Sequence, residues 1–291
     1  MPKSLNLSSN AQMYKELEKL IPLWFAEDIG DGDHTTLSCI PPDAYGKSQL
    51  IIKEKGVLAG VNVALEIFTT FDNSLKTTVF INDGSEVTVG DVVFVTEGKI
   101  QSLLQTERLM LNIMQRMSGI ATRTREYVKV LEGTRTRILD TRKTTPGLRM
   151  LEKEAVRIGG GVNHRTGLFD MILLKDNHID FAGGIDKAIL RAKNYLKEKG
   201  KSLKIEIEVR NFDELQQVLS AGGVDRIMLD NFSVEDTRKA VEITNGRYEI
   251  ESSGGITLNT LRNYAECGVD YISVGALTHS VKSLDMSFKA I

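Results

Sequence analysis

The chain has 291 residues, and its 37 Lys and Arg against 39 Asp and Glu give a net charge of −2 and a pI of about 6.2. This balance argues against a protein that binds nucleic acid over a basic surface. The cysteines, Cys39 and Cys267, do not form a close motif, which indicates a reduced compartment, and we expect a cytoplasmic protein. The N-terminal residues do not resemble a signal peptide, and no run reaches the ~18 apolar residues of a membrane span.

The first hundred residues predict a small α+β sandwich. Residues 12–27 have a helical pattern, which Pro22 could divide into two short helices. Residues 27–36 are rich in Asp, but Cys39 stands where a calcium loop needs a carboxylate, so we interpret the segment as a turn. Residues 62–70 predict a helix. Runs of β-branched and aromatic residues predict strands at 47–53, 76–82 and 91–97.

Residues 102–132 predict a long helix, because Leu, Ile and Met recur there at helical spacing. We expect Ser118 and Gly119 to break or kink this helix. The methionines are most simply explained as core residues. The arginines of this segment, including Arg108, are each more often solvated or ion-paired than bound to a ligand.

From residue 137 onward, short apolar runs alternate with amphipathic helical segments. This alternation predicts a parallel sheet with right-handed crossovers, and a recurrence every ~20–25 residues is typical of an α/β barrel. An open doubly wound sheet remains the alternative, although no Gly-x-Gly-x-x-Gly follows the first strand. The predicted strands are 137–141, 170–175, 204–209, 226–230, 248–252 and 270–275, and the helices between the later ones are 211–219, 235–243 and 257–266.

Polar residues follow these strands at their carboxyl ends, where α/β folds place their chemistry. Arginine binds carboxylates through two parallel hydrogen bonds, and lysine neutralises phosphate. Two strand-end carboxylates could hold Mg²⁺ directly or through water, and the glycine-rich loops could bind a phosphate through backbone N–H groups. The candidates are Thr141, Arg142, Lys143, Lys175, Glu208, Asp230, Ser253, Gly254, Gly255 and Gly275.

Each of these residues has a structural explanation when taken alone. A strand-end carboxylate is often a helix cap, and a Gly-Gly pair is often a turn. His164 alone is more often structural than catalytic, Lys175 could pair with Asp176 or Asp230, and residues 159–161 are most simply a flexible glycine loop. Together, however, the strand ends predict a site for an anion and a metal-bound phosphorylated substrate.

Eight ordered segments also resemble the quinolinate phosphoribosyltransferases, the decarboxylating nicotinate-nucleotide pyrophosphorylases of NAD biosynthesis. They cover nearly the whole chain and lie at 27–36, 107–122, 140–149 (DTRKTTPGLR), 159–179, 205–209, 227–232 (IMLDNF), 251–256 (ESSGGI) and 271–280. The resemblance implies a pentosyltransferase that converts quinolinate and phosphoribosyl pyrophosphate, with Mg²⁺, to nicotinate mononucleotide, pyrophosphate and CO₂.

The resemblance further implies two domains. An N-terminal α/β sandwich would span residues 1–116, with C-terminal segments able to return to it, and an incomplete, seven-stranded α/β barrel would span 117–291. It also implies a homodimer, sometimes assembled into a hexamer, in which one subunit's N-terminal domain covers the partner's barrel mouth. Neither nucleic acid nor a membrane is expected as a partner.

The matching motifs carry residue roles with them. Arg108 would reach the partner subunit's site and bind quinolinate there, and Arg142, His164 and Arg165 would hold the two carboxylates. Lys143 and Lys175 would hold phosphate or pyrophosphate oxygens, with Thr141 beside them. The catalytic set would be Lys143, Lys175, Glu208 and Asp230, the last two serving the ribose and Mg²⁺, while Ser253, Gly254, Gly255 and Gly275 would seat the 5′-phosphate.

Some alternatives stay open at this stage. The motif selects Glu208 over Glu206, but strand alternation puts both on one face and cannot decide between them. A molybdenum-associated relative of the same fold, or a catalytically silent anion-binding homologue, is the second interpretation, although the His164-Arg165 pair and the 141–144 run (TRKT) are intact. A barrel aldolase that uses Lys175 for a Schiff base is the third.

Overall fold

The computed structural model describes residues 6–291, with side chains from residue 12 onward. No helix in this described part is long and apolar enough to cross a membrane. The helices are α1 (Asn6–Ile29), α2 (His34–Cys39), α3 (Val61–Phe71), α4 (Ile100–Val130), α5 (Arg149–Ile158), α6 (Asp176–Ala182), α7 (Ile185–Glu198), α8 (Phe212–Ala221), α9 (Val234–Thr244), α10 (Leu261–Ala265) and α11 (Ala276–His279).

The strands confirm all nine that were predicted and add three. The six predicted from residue 137 onward appear as β6 to β11. The strands are β1 (Tyr45–Ile52), β2 (Gly56–Val57), β3 (Lys76–Val79), β4 (Glu86–Val87), β5 (Val92–Lys99), β6 (Arg137–Leu139), β7 (Ile172–Leu174), β8 (Ile205–Val209), β9 (Arg226–Asp230), β10 (Glu249–Ser253), β11 (Tyr271–Ser273) and β12 (Met286–Ala290).

The chain forms two compact units. The first contains residues 1–123, 150–159 and 281–291, and the second contains 124–149 and 160–280. The division falls between residues 123 and 124 of α4, the same helix that contains the predicted boundary between 116 and 117. Two later segments, α5 and the C-terminal strand β12, belong to the first unit.

The first unit is built on an antiparallel sheet with the strand order β12-β1-β5-β3. Alternate residues of its strands point into the core, as Leu50 and Ile52 do in β1. Phe68 of α3 packs edge-on against Phe94 of β5, with ring centroids 5.9 Å apart, and stacks on Phe288 of β12 at 6.1 Å. The aromatic cluster thus joins the C-terminal strand to the N-terminal sheet.

Pro22 does not divide the first helix, because α1 is continuous from Asn6 to Ile29. Met13, Leu17, Ile21 and Phe25 recur every four residues and are buried. This apolar stripe packs on one side of the helix, and its burial offsets the backbone hydrogen bond that proline removes.

The acidic segment 27–36 contains a turn at 30–33, between the end of α1 and the short helix α2. Asp33 caps α2 by accepting a hydrogen bond from the Thr36 N–H at 3.0 Å. His34 and Asp31 lie 3.5 Å apart but are 77% and 95% exposed. Capping and solvation account for these charges.

The expected break at Ser118 and Gly119 is wrong, because α4 runs unbroken through both residues. The Ser118 hydroxyl accepts a hydrogen bond from the Ala59 N–H at 2.9 Å and donates one to the Ala59 carbonyl at 3.0 Å. A Cβ on Gly119 would lie 2.2 Å from the Lys282 carbonyl oxygen. The two small residues therefore let neighbouring backbone approach the helix.

The second unit contains a parallel sheet with the order β6-β11-β10-β9-β8-β7. All five neighbouring pairs are parallel, which confirms the predicted α/β fold. Val162 adds one parallel bridge beside Leu139 at the β6 edge. The seventh strand that the resemblance implied is thus reduced to a single bridge. The predicted helix 257–266 is also shorter, since Thr257 and Thr260 form a turn before α10.

The close approach at Gly119 gives a stability prediction. Helix propensity alone predicts that Gly119→Ala gains about 1 kcal/mol. The clash with the Lys282 backbone should reverse this sign and cost about 1–3 kcal/mol of unfolding free energy, measured by chemical denaturation.

Gly46→Ala is the matched control, because its Cβ would meet only the flexible Ile100 side chain, at 3.1 Å. Its effect should be clearly smaller. A Gly119→Ala protein as stable as the wild type would contradict the packing explanation.

Candidate active site

A cavity of about 800 Å³ lies at the carboxyl ends of the parallel strands, wholly within the second unit. Eleven of the thirteen predicted site residues line it, and the exceptions are Arg108 and Glu208. The predicted residues in its wall are Thr141, Arg142, Lys143, His164, Arg165, Lys175, Asp230, Ser253, Gly254, Gly255 and Gly275.

Arg142 and Arg165 bring two positive charges to the cavity wall. Burial lowers the pKa of Arg165, and the nearby Arg142 lowers it further. Arg165 donates from Nη1 to the Met171 carbonyl at 3.2 Å. Among the described residues, neither Arg142 nor Lys143 has an ion-pair partner, and both are exposed. An excess of cations without partners is the electrostatic property of a site for a multiply charged anion.

Lys175 is paired, but with neither of the residues weighed from the sequence. Its Nζ lies 2.7 Å from Glu208 Oε2, while its side chain remains 45% exposed. Glu208 is only 6% exposed and supports the cavity from behind Lys175. The pair therefore fixes a lysine whose charge is partly balanced before any ligand binds.

Glu208 and Asp230 are the carboxylates predicted to hold Mg²⁺. They belong to the adjacent strands β8 and β9. The Asn231 amide donates to Asp230 Oδ2 at 2.8 Å, and Lys175 Nζ donates to Glu208 Oε2. The second oxygen of each carboxylate accepts no hydrogen bond from the described residues and could bind a cation. Two carboxylates suit Mg²⁺, which usually keeps several waters and substrate phosphates as its other ligands. The donor set therefore fits the ion.

The loop after β10 needs glycine because two strand ends meet there. Asn231, with a φ of 56°, donates from its backbone N–H to the Ser253 carbonyl at 2.9 Å. A Cβ on Gly254 would lie 2.8 Å from the Asn231 nitrogen and 2.2 Å from its Oδ1. At Gly275, a Cβ would meet His279 and Lys143 side-chain atoms at 3.0 and 3.1 Å. Both glycines line the cavity at points where a side chain would collide with neighbouring residues.

Asp140 ties together the two loops that carry the arginines. Its buried carboxylate accepts from the His164 backbone N–H at 2.8 Å and from the Asn163 amide at 2.6 Å. Arg149 links the same loops by donating to the Thr144 hydroxyl at 3.0 Å and the Thr166 carbonyl at 3.2 Å. These bonds fix the backbone on which Arg142 and Arg165 stand.

The motif predicted that His164 binds a substrate carboxylate, but in the structure its ring contacts two carboxylates of the protein. Its Nε2 lies 3.0 Å from Glu206 Oε2 and 3.4 Å from Glu251 Oε2, and its side chain is 7% exposed. Its Nδ1 accepts from the Arg165 backbone N–H at 2.7 Å. Both ring nitrogens are thus engaged by the protein, and the ring forms part of the cavity wall. A direct grip on a substrate carboxylate stays a prediction.

Two influences on the charge of His164 oppose each other. Burial lowers its pKa, but the contacts with Glu206 and Glu251 outweigh burial and raise the pKa to about 9. The Arg165 N–H at Nδ1 favours the neutral ring instead. The carboxylates should dominate, because a negative charge in a buried site outweighs one neutral dipole.

The pKa values of the two carboxyl groups are shifted in opposite directions. Burial and the charge of Glu251 raise the pKa of Glu206 to about 7. Burial also acts on Glu251, but the contact with His164 and the charge of Arg226 outweigh it and lower the pKa of Glu251.

His164, Glu206 and Glu251 also have ligand atoms close enough together for a metal ion. Arg226 argues against that use. Its Nη1 lies 3.1 Å from Glu251 Oε2 and 4.0 Å from Glu206 Oε2, the same oxygens that face His164. A bound cation would have to share these oxygens with a fixed guanidinium. We therefore interpret the cluster as an ion-pair network.

Sequence reasoning missed several residues that build or line the site. Glu206 was set aside in favour of Glu208, and Glu251 was given no role although it lies in the matching segment 251–256. His279 follows Gly275 by one helical turn in α11, and this spacing was the available signal for it. Arg108 lies exposed on α4 in the first unit, and its role at a partner's site stays a prediction.

The ion-pair network gives a titration prediction. The folded pKa of His164, about 9, lies above its ordinary value of 6.5. Protonation therefore stabilises the fold fully below pH 6.5, and this contribution is lost as pH rises through about 9. NMR titration of the histidine ring signals, assigned with a His164→Gln variant, should show a midpoint near 9. A midpoint at or below 6.5 would show that the bond to Arg165 N–H prevails.

Comparison with known proteins places the chain in a family. The model of the quinolinate phosphoribosyl transferase C-terminal domain matches residues 120–289, and that of the N-terminal domain matches 33–118. A protein of Bacillus subtilis, named a probable nicotinate-nucleotide pyrophosphorylase [carboxylating], is 43% identical over 94% of this chain and 92% of its own. The mitochondrial quinolinate phosphoribosyltransferase [decarboxylating] 2b of Nicotiana tabacum is 42% identical over 99% of this chain and 86% of its own.

Solved structures agree with the sequence matches. The NadC protein of Streptococcus pyogenes superposes with a TM-score of 0.89 at 40% identity, covering 95% of this chain and 97% of that one. The nicotinate-nucleotide pyrophosphorylase of Francisella tularensis gives the same TM-score and identity over 95% and 96% of the two chains. The two domain models together span most of the chain, and the chain therefore belongs to the quinolinate phosphoribosyltransferase family.

Proposed function

We propose that this chain transfers the phosphoribosyl group of phosphoribosyl pyrophosphate to quinolinate and removes one carboxylate as CO₂. The products are nicotinate mononucleotide and pyrophosphate, so the reaction serves NAD biosynthesis. The relatives' names support this reaction. The observation that carries it is the cavity itself, where Arg142 and Arg165 form no ion pair with any described residue and stand beside two lysines and two glycine loops.

Quinolinate has two adjacent carboxylates on a pyridine ring, which suits the charges of the cavity. A guanidinium can bind a carboxylate through two parallel, charge-assisted hydrogen bonds. Arg142 and Arg165 supply two such groups from loops that Asp140 and Arg149 hold in place. Binding a dianion would relieve the repulsion that lowers the pKa of Arg165.

The phosphoribosyl donor would occupy the side of the cavity formed by the later strands. The loop of Ser253, Gly254 and Gly255, with Gly275 opposite, offers backbone N–H groups for the 5′-phosphate. Lys143 and Lys175 would face the pyrophosphate, and Thr278 supports Lys143 by donating to its carbonyl at 2.9 Å. Glu208 and Asp230 would hold Mg²⁺, which supplies charge neutralisation for the departing pyrophosphate.

The chemistry needs no covalent enzyme intermediate. The anomeric C–O bond breaks, pyrophosphate leaves with the bond electrons, and the quinolinate nitrogen bonds to the anomeric carbon. The pyridinium ring then accepts the electron pair of the C2–carboxylate bond as CO₂ departs, and a proton from water replaces it at C2. Lys143 and Lys175 stabilise the leaving anion, while the arginines orient the ring nitrogen.

The aldolase alternative is disfavoured by the state of Lys175. A Schiff-base lysine attacks as a neutral amine. Lys175 Nζ lies 2.7 Å from the buried Glu208 carboxylate, so the nitrogen is held in an ion pair and is not free to attack a carbonyl carbon. An anion-binding homologue without catalysis would bind both ligands but release no pyrophosphate.

We also propose a homodimer with shared sites and a cytoplasmic location. Arg108 is exposed on α4 and is not among the residues that line the cavity of its own chain. Both properties are expected of a residue that acts at the partner subunit's site. The plant relative is named mitochondrial, so location differs within the family.

Turnover with quinolinate tests the function directly. The protein incubated with quinolinate, phosphoribosyl pyrophosphate and Mg²⁺ should release pyrophosphate and CO₂ together, and chelation of Mg²⁺ should suppress both. Arg142→Ala and Arg165→Ala should each lose about 100-fold or more in kcat/KM for quinolinate, because each removes a charged hydrogen-bond donor worth ~3 kcal/mol.

Arg191→Ala is the matched control, since Arg191 is an exposed α7 residue outside the cavity that donates to the Ala182 carbonyl. Its kinetics should match the wild type. Unchanged kinetics in both cavity variants would refute the assigned site.

Subunit mixing tests the shared site. Arg108→Ala and Lys175→Ala proteins should each be inactive alone. Mixed dimers carry one site with both residues intact, so random exchange should restore roughly a quarter of wild-type activity. No recovery after confirmed exchange would mean that Arg108 acts within its own chain or not at all.

A further inference from the structure

Two carboxylates and two cations alternate within the barrel at the base of the cavity, where His164 and Glu251 form part of the wall. Glu206 Oε2 and Glu251 Oε2 face His164 Nε2 at 3.0 and 3.4 Å on one side. On the other side they face Arg226 Nη1 at 4.0 and 3.1 Å. Glu206 and Glu251 contact His164, and Arg226 contacts both glutamates, so we call these three residues the clamp of His164. It joins the barrel interior to a residue of the cavity wall.

The strand register makes the clamp rigid. Glu206 of β8 pairs in register with Arg226 of β9, and Glu249 of β10 pairs with Arg226 from the other side. Glu251 follows Glu249 by two residues, so both point to the same face of the sheet. Glu206 and Glu251 are 0% exposed, and the Arg226 guanidinium stacks on the Tyr271 ring at 4.0 Å. Buried strands on either side leave these side chains little freedom.

His164 connects these buried side chains to the backbone of Arg165 at the cavity wall. Its backbone N–H is already bound by Asp140 at 2.8 Å, so the ring orientation is what the clamp determines. On the far side of the ring, Nδ1 lies 2.7 Å from the Arg165 backbone nitrogen. A rotation of the ring away from Glu206 would therefore disturb the residue whose guanidinium enters the cavity.

We propose that Glu206 and Glu251 are positioning residues, which hold the His164 ring and through it the Arg165 backbone in the orientation that receives the pyridine dicarboxylate. The inference rests on the proposed function and deepens it. It assigns two buried glutamates to the quinolinate half of the cavity and not to the phosphoribosyl half. Neither glutamate is required to touch the substrate.

The burial of the carboxylates supports a role beyond stability. Buried ion pairs contribute little net stability, because desolvation offsets their attraction. Arg226 also has a third partner, Glu249, at 3.2 Å, so its charge is balanced without Glu206. Glu206 lies 4.0 Å from Arg226 but 3.0 Å from His164, which makes His164 its closer partner.

A graded substitution series at Glu206 separates positioning from structure. Glu206→Leu keeps the volume and removes the acceptor, whereas Glu206→Gln keeps an acceptor for the Nε2 proton. We expect Glu206→Leu to raise the KM for quinolinate about tenfold and to leave the KM for phosphoribosyl pyrophosphate within about twofold. Glu206→Gln should restore most of the quinolinate KM.

Glu249→Leu is the matched control. Glu249 is also a partner of Arg226 on the same strand face, but no contact joins it to His164 among the described residues. Its quinolinate KM should stay within about twofold of the wild type. A general loosening of the barrel would raise both Michaelis constants in both Leu variants, and that result would overturn the proposal.

A double-mutant cycle tests whether Glu206 acts through His164. The dissociation constant of quinolinate is measured by calorimetry for wild type, Glu206→Leu, His164→Asn and the double variant. In the His164→Asn background, Glu206→Leu should add less than about a twofold change. The full effect of Glu206→Leu persisting without the histidine would overturn the proposal, as would one equivalent of tightly bound metal that Glu206→Leu removes.

The same measurements distinguish two failures. Absence of quinolinate turnover by the wild-type protein would refute the proposed function. Normal wild-type turnover with an unchanged quinolinate KM in Glu206→Leu would refute only the positioning role.

Discussion

Charge balance inside the parallel barrel is the constraint on which the site depends. Glu206 and Glu251 are fully buried, and an unpaired carboxylate there would be costly. His164 and Arg226 balance them at 3.0 to 4.0 Å. The interior thus neutralises its own charges, while at the mouth Arg142 and Lys143 have no ion-pair partner in the described part of the chain. The surplus positive charge is left where an anionic substrate can bind.

The fold delivers this arrangement through short connections at strand ends. Each parallel strand brings its last polar residue to the same edge of the sheet, so residues far apart in sequence share one cavity. Buried carboxylates then fix the loops, as Asp140 does for His164 and Asn163. The loops after β9 and β10 are fixed instead by close packing of their backbones, as at Asn231 and Gly254. The cavity is therefore largely preformed, which reduces the ordering cost of binding.

Much of this could be predicted from the sequence because its signals are local. The strand and helix periodicities located six parallel strands, and the polar residues at their ends located the cavity. The ion-pair network was out of reach, since Glu206 and Glu251 become neighbours only through the register of β8, β9 and β10. Gly119 was misjudged for a similar reason. Its local sequence suggests a break, whereas the Lys282 backbone beside it is 163 residues away in sequence. The packing of the α1 stripe likewise outweighed Pro22.

The central claim is that unbalanced arginines at the barrel mouth receive the dicarboxylate, supported from below by the balanced interior. A crystal structure with quinolinate and an unreactive analogue of phosphoribosyl pyrophosphate tests it most directly. The account predicts both ring carboxylates within about 3 Å of the Arg142 and Arg165 guanidinium groups, with His164 still against Glu206 and Glu251. Quinolinate bound outside this cavity, or inside it with both arginines left in solvent, would contradict the account.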